Sequence, residues 1–252
     1  MAKVQVGGRR FDIDVVVFDK DGTLIDFHIM WGTRARTAVD ALVLESGGGG
    51  RLQSALYHTL GYSPESGTTR GDGPLAVVPL SQTDTVMTTV LYQHGWPWHE
   101  AERLIAETFS PVMFSEPTAD VVSPLGNVRD TVDQLNRNGI RTVIATSDNR
   151  DPTVKILNML GIESFFDVLY CGDDANLPQK PSAAVLQEIA GYCRVETDKI
   201  MMVGDTVGDL SMAHAANAGA KIGVVGGATE DRILAEWSDA LVSSIDEIEV
   251  LD

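Results

Sequence analysis

An uninterrupted apolar run, Val15-Val16-Val17-Phe18, gives way abruptly to Asp19-Lys20-Asp21-Gly22-Thr23. A β-branched run this short, bounded by a glycine turn, predicts a strand buried on both faces. Runs of the same kind recur at Arg141-Thr142-Val143-Ile144-Ala145, Asp167-Val168-Leu169-Tyr170, Lys199-Ile200-Met201-Met202-Val203, Ile222-Gly223-Val224-Val225 and Ala240-Leu241-Val242. Helical periodicity fills the gaps. Val128, Val132 and Leu135 share one face of a segment stopped by Gly139, Asp151-Pro152 opens a helix that ends at Gly161, and further helices are predicted over 181–190 and 210–218. Strand and helix alternating through short links predict an α/β fold with a parallel, doubly wound, Rossmann-like sheet. Ahead of the first buried run, Val4-Gln5-Val6 and Phe11-Asp12-Ile13 alternate around Gly7-Gly8, the pattern of a small hairpin.

Residues 27–122 break this rhythm. Met30, Thr37, Ala38, Ala41 and Leu42 recur at helical spacing up to the Gly47–Gly50 run, and a second helix is predicted over 51–60. The Gly-, Ser- and Thr-rich stretch 61–74 reads as a loop. Ser81-Gln82-Thr83-Asp84 has the form of an N-cap for a helix reaching His94, and Pro97 starts another carrying Ala101, Leu104 and Ile105. The first buried strand must pair with strands more than a hundred residues later, so 27–122 is expected to be a helical domain inserted into a core made of 1–26 and 123–252.

Composition narrows the functional classes. The chain of 252 residues carries 36 Asp and Glu against 19 Lys and Arg, a net charge of −17, with no basic run. Such a surface repels nucleic acid and anionic membranes, so neither is expected as a partner. No apolar stretch approaches a membrane span, and the first residues, Met1 to Gly8, lack the apolar segment of a signal peptide. Cys171 and Cys193 form neither a C-x-x-C pair nor a cluster with histidines. A reducing, cytoplasmic setting is the expectation.

Chemistry gathers where the predicted strands end. Side chains two apart in extended backbone point the same way, which brings Asp19 and Asp21 together. Two such charges ~4 Å apart repel by about 4 kcal/mol at an effective dielectric near 20, so the pair calls for a cation or a protonated carboxyl. Thr146-Ser147-Asp148 follows the second run and offers hydroxyls and backbone N–H groups to an anion. Lys180 precedes Pro181 at an expected helix start, and Gly204-Asp205-Thr206-Val207-Gly208-Asp209 sets two carboxylates about the start of another helix. Taken singly these read as turns and caps. Together, Asp19, Asp21, Asp205 and Asp209 would meet at one sheet edge beside a lysine and hydroxyls. Oxygen-only, carboxylate-rich ligation suits Mg²⁺, and phosphate-binding groups alongside it point to phosphoryl chemistry.

Asp19-Lys20-Asp21-Gly22-Thr23, Thr146, Lys180-Pro181 and Gly204-Asp205 with Asp209 resemble, in order and spacing, the four motifs of the haloacid dehalogenase superfamily. The resemblance runs the length of the chain and covers its phosphoglycolate phosphatase-like and β-phosphoglucomutase-like branches, in which a helical cap interrupts the core. It implies a phosphatase acting on a small phosphorylated metabolite. Asp19 would be the nucleophile that becomes an aspartyl-phosphate, and Asp21 the general acid and base. Thr146, Ser147 and Lys180 would hold the phosphoryl group. Asp19, the Asp21 backbone carbonyl, Asp205 and, directly or through water, Asp209 would hold Mg²⁺. Asp21 argues against carbon–halogen cleavage, because the dehalogenases lack it. A phosphomutase keeps both aspartates and stands as the alternative enzyme, a non-catalytic binder of a phosphoryl ligand as the alternative of another class. His28, Trp31 and Arg34 are the candidates for substrate choice. Lys20 is expected to point away from the metal and to have no catalytic role.

Overall fold

The computed structural model describes residues 3–175 and 177–251, with Ser81 described by its backbone alone. Met1 and Ala2 therefore lie outside the described residues, and the N-cap expected at Ser81 is instead Pro79, because the helix there begins at Leu80 and Ser81 already lies within it. The chain divides into two compact units, Met1–Phe27 with Val122–Asp252, and His28–Val121.

In chain order the strands are β1 (Lys3–Val6), β2 (Arg9–Asp12), β3 (Val15–Phe18), β4 (Tyr62–Ser63), β5 (Thr68–Thr69), β6 (Arg141–Ala145), β7 (Val168–Tyr170), β8 (Ile200–Gly204), β9 (Ala220–Val224), β10 (Ala240–Val242) and β11 (Glu249–Leu251). The first unit holds a six-stranded sheet in the order β10-β9-β8-β3-β6-β7, with every neighbouring pair parallel. Successive strands are added outward from β3, first to one side and then to the other. This is the doubly wound arrangement, and its switch point, where ligands bind beyond the strand ends, falls between β3 and β8.

The sequence of β3 explains its central place. All four residues are fully buried, Val16 and Phe18 in one apolar layer and Val15 and Val17 in the opposite one. The helices of the two units, in chain order, are α1 (Thr33–Ser46), α2 (Gly50–Leu60), α3 (Pro74–Val77), α4 (Leu80–Gln93), α5 (Trp98–Leu104), α6 (Ser110–Met113), α7 (Val128–Arg137), α8 (Arg150–Met159), α9 (Ala184–Cys193), α10 (Val207–Ala215) and α11 (Asp231–Trp237). Val128, Val132 and Leu135 of α7 and Leu157 of α8 join the layer of Val16 and Phe18. Val185, Leu186 and Ile189 of α9 and Met212 of α10 join the layer of Val15 and Val17. Alternate side chains of one strand thus fill both sides of the sheet.

The expected hairpin is present as β1 and β2, and β11 adds to it antiparallel, pairing Val4 with Val250. That last strand is not in the sequence reading, because three residues with a single alternation give little periodic signal. Another difference concerns α9, which starts at Ala184 rather than at Pro181. The chain reaches it through a turn in which Ser182 Oγ accepts from the Ala184 N–H at 3.3 Å, leaving Lys180 outside the helix.

The second unit is helical, as its pattern predicts, with π-helical turns at His28–Gly32 and Ile105–Phe109. Gly47 ends α1 in the left-handed region at φ 66°, where a glycine carries no Cβ penalty. The stretch expected to be a plain loop instead contains the β4–β5 ribbon, which pairs Tyr62 with Thr69 and buries both side chains. Among the described residues, no helix is long and apolar enough to cross a membrane.

Candidate active site

Past the ends of β3 and β6 the strand hydrogen bonding continues for one residue. Asp19 N–H donates to the Val203 carbonyl at 2.9 Å, which carries the β3–β8 ladder one step past Phe18 and fixes where the Asp19 side chain starts. Thr146 N–H likewise donates to the Tyr170 carbonyl at 2.9 Å. Asp205 directly follows the last residue of β8, and Asp209 lies in the first turn of α10.

These positions bring carboxylates together out of water. Asp19, Asp205 and Asp209 are buried, and each offers an oxygen within 4.8 Å of the others'. Lys180 reaches into the group, its ammonium 2.6 Å from Asp19 Oδ1 and 2.5 Å from Asp209 Oδ1, and it donates to the Ala145 carbonyl at 3.1 Å. Backbone crowds in as well. A Cβ on Gly22, which sits at φ +80°, would lie 2.1 Å from Asp205 Oδ2, and one on Gly227 would lie 2.3 Å from the same oxygen. Only glycine at both places lets the two loops approach Asp205 this closely.

Asp205 Oδ2 accepts from the Ala228 N–H at 2.7 Å, whereas Asp205 Oδ1 is buried with no hydrogen-bond partner. An orphaned carboxylate oxygen facing two further buried carboxylates leaves a place for a cation. The electrostatics agree. Burial above all pushes the Asp19 carboxyl up to about 7; Lys180 pulls it down while Asp209 and Asp21 push it higher. Asp205 is raised well above the usual carboxylate range, by burial first and then by Asp19 and Asp209. Burial by itself would lower Lys180, but Asp19 and Asp209 outweigh it and the net shift is upward. One lysine therefore offsets only part of the charge.

Asp209 combines two tasks. Thr206 Oγ1 accepts from the Asp209 N–H at 3.2 Å while Asp209 Oδ2 accepts from the Thr206 N–H at 3.2 Å, a capping box that opens α10. Its other oxygen faces Lys180. Capping and clustering, alternatives in sequence, are both met by one side chain.

Thr146 is buried, and its hydroxyl oxygen accepts from the Asp148 N–H at 3.1 Å, whereas Ser147 is exposed. Lys20 makes its contacts outside the group of Asp19, Asp205 and Asp209. It is fully buried, and its ammonium lies 3.0 Å from Asp21 Oδ1, 2.9 Å from Asp21 Oδ2 and 2.8 Å from Asp148 Oδ2. Its side chain is turned away from that group, as expected, and lies between two other carboxylates rather than in solvent. Asp148 is a partner that the sequence does not announce, 128 positions away along the chain.

In the helical unit, Arg34 is buried, stacks its guanidinium 5.1 Å from the Trp31 ring centroid, and donates to the Ser115 carbonyl at 2.6 Å. Trp31 is buried too, and His28 is half-buried.

The haloacid dehalogenase-like hydrolase family model matches residues 13–217, so the chain belongs to that family. Over 106 residues it is 32% identical to the pyrophosphatase PpaX of Halalkalibacterium halodurans, a match covering 42% of this chain and 48% of that protein. It spans, in other words, about half the length of that relative. A phosphoglycolate phosphatase of Chromobacterium violaceum is 27% identical over 209 residues, covering 82% of this chain and 83% of the relative. Among solved structures, a protein described as a predicted phosphoglycolate phosphatase from Haemophilus somnus superposes with a TM-score of 0.66 over 93% of this chain and 95% of its own, at 16% identity. At that identity the likeness establishes the fold.

Proposed function

We propose that this chain is a Mg²⁺-dependent phosphatase that hydrolyses a small phosphomonoester through an aspartyl-phosphate on Asp19. The observation that carries the reading is the buried meeting of Asp19, Asp205, Asp209 and Lys180 at the switch point of the sheet. The donor set fits Mg²⁺: it is all oxygen, rich in carboxylates, and includes the unpartnered Asp205 Oδ1. Asp19, Asp205 and the Asp21 backbone carbonyl are the groups that would hold it, with Asp209 direct or through water. Bound there, the ion supplies positive charge against the phosphoryl oxygens and relieves the repulsion among the carboxylates.

The remaining chemistry belongs to the chain. Asp19 attacks phosphorus in line, and the bond to the leaving oxygen breaks as Asp21 gives that oxygen a proton. Asp21 then takes a proton from water, which displaces the phosphoryl group from Asp19 as inorganic phosphate. Lys180 and Thr146, with Ser147 alongside, hold the phosphoryl oxygens and offset their charge. Relatives named phosphoglycolate phosphatase make phosphoglycolate the first substrate to try. Substrate choice is assigned to the helical unit, where His28, Trp31 and Arg34 are the residues to vary. Two free, buried cysteines support a cytoplasmic setting.

With Mg²⁺ present, purified protein is expected to release inorganic phosphate from phosphoglycolate or p-nitrophenyl phosphate, and Asp19→Asn to lower kcat by at least about 10³-fold. Absence of turnover across a panel of phosphomonoesters, or undiminished activity in Asp19→Asn, sinks the reading.

A further inference from the structure

Lys20 occupies a fully buried position where an apolar side chain would avoid any loss of hydration. Burying an ammonium costs several kcal/mol unless well-placed anions surround it. Here there are two, and they are held differently. Asp148 is fixed from the end of β6: its Oδ1 accepts from the Asn149 N–H at 2.8 Å, its own N–H donates to Thr146 Oγ1 at 3.1 Å, and its carbonyl accepts from the Gly172 N–H at 2.8 Å. Asp148 Oδ2 then holds the Lys20 ammonium at 2.8 Å. Asp21, by contrast, lies beyond β3 in the turn that Gly22 makes at φ +80°. Lys20 reaches it with one donor placed almost equally between its two oxygens, at 3.0 and 2.9 Å. A line of contacts thus runs from a strand end through Asp148 and Lys20 to the Asp21 carboxyl group.

We propose that Lys20 is a positioning residue: anchored by Asp148, it sets the orientation of the Asp21 carboxyl and hence the direction in which Asp21 delivers its proton to the leaving oxygen. The inference rests on the reading of Asp21 as acid and base given above. Proton delivery matters when the leaving group is an alkoxide, which departs poorly without one, and matters little for p-nitrophenolate, which is stable as an anion. Misdirecting Asp21 therefore harms kcat/KM for the two kinds of substrate unequally, because the water-activating step that Asp21 also serves follows departure of the leaving group and does not enter that ratio. A Lys20 present only to balance the buried Asp148 would instead act through stability, without regard to leaving group.

The experiment compares Lys20→Met and the double variant Lys20→Met with Asp148→Asn against wild type, reading kcat/KM on phosphoglycolate and on p-nitrophenyl phosphate together with the melting temperature. The double variant removes the buried charge that Lys20→Met alone would strand. Both variants are expected to lose about 10- to 100-fold on phosphoglycolate, chiefly in kcat, and less than about threefold on p-nitrophenyl phosphate. The double variant regains melting temperature but not the lost activity. Recovery of phosphoglycolate turnover along with stability, or equal losses on the two substrates, overturns the role of Lys20 while leaving the phosphatase reading intact. A wild type inert across the whole panel of phosphomonoesters overturns that reading and this inference with it.

Discussion

At the carboxyl edge of the six-stranded sheet, charged side chains face one another: Lys180 lies against Asp19 and Asp209, and Lys20 against Asp21 and Asp148. In the helical unit, apart from exposed pairs such as Arg70 with Asp72 and Arg103 with Glu107, several turn to their own scaffold. Arg34 donates to the Ser115 carbonyl, Arg36 to the Pro64 carbonyl, and Asp40 Oδ1 accepts from Tyr57 and Gln53. The difference follows from what each kind of element needs. A strand end in a parallel sheet has its backbone satisfied by its neighbours, so the residue just past it is held firmly and its side chain is free for chemistry. A small helical unit must fasten its loops and helix ends, and its polar side chains serve that need first.

That contrast can be broken at three points. The largest effect is expected at Asp205→Asn, which should raise the Mg²⁺ concentration for half-maximal activity by about a hundredfold or more and remove the thermal stabilisation that Mg²⁺ confers. Unchanged Mg²⁺ dependence would take the orphaned Asp205 oxygen out of the metal site.

A pH effect of intermediate size comes next. Burial lifts Asp19 from 3.8 to about 7 and raises Asp205, so across that window the folded protein binds more protons at these sites than the unfolded chain does. Without metal, their contribution to stability is present below the unfolded value and is lost as pH rises towards 7. Mg²⁺ competes with those protons. It should therefore raise the melting temperature more at about pH 8 than at about pH 5, and an equal shift at both would separate the metal from these carboxylates.

The smallest effect is expected in the helical unit, where Arg34→Met should cost about 1–2 kcal/mol of unfolding free energy through the lost Ser115 contact. Denaturant unfolding measures it. A raised KM at unchanged stability would instead make Arg34 a substrate contact and narrow the difference between the two regions.

The sequence was most informative where backbone rules dominate. Four fully buried residues in a row at β3 could belong only to a two-sided strand, and Asp19 had to follow at its end. The same logic reached Thr146 and Asp205. Lys180 was legible as a residue but not by its route, since the start of α9 at Ala184 depends on the turn made by Ser182 and not on the proline alone. Pairing between distant side chains left no such trace. Nothing in the spacing of Lys20 and Asp148 announces a contact across 128 positions, and a side chain flanked by two carboxylates reads as solvated until its burial is known. The β4–β5 ribbon escaped for another reason: two residues per strand are too few for alternation to register.

The central place of β3 also bears on how the chain comes to be made. Val15 pairs with Arg141 on one side and with Ile200 on the other, so a polypeptide growing from its N-terminus presents the Val15–Phe18 run long before either neighbour exists. The helical unit, compact over residues 28–121, can close in the meantime. During synthesis, then, the most apolar strand of the finished sheet is an unpaired segment of the kind that aggregates, and the charged stretch Asp19-Lys20-Asp21 flanks it as gatekeeper residues flank such strands.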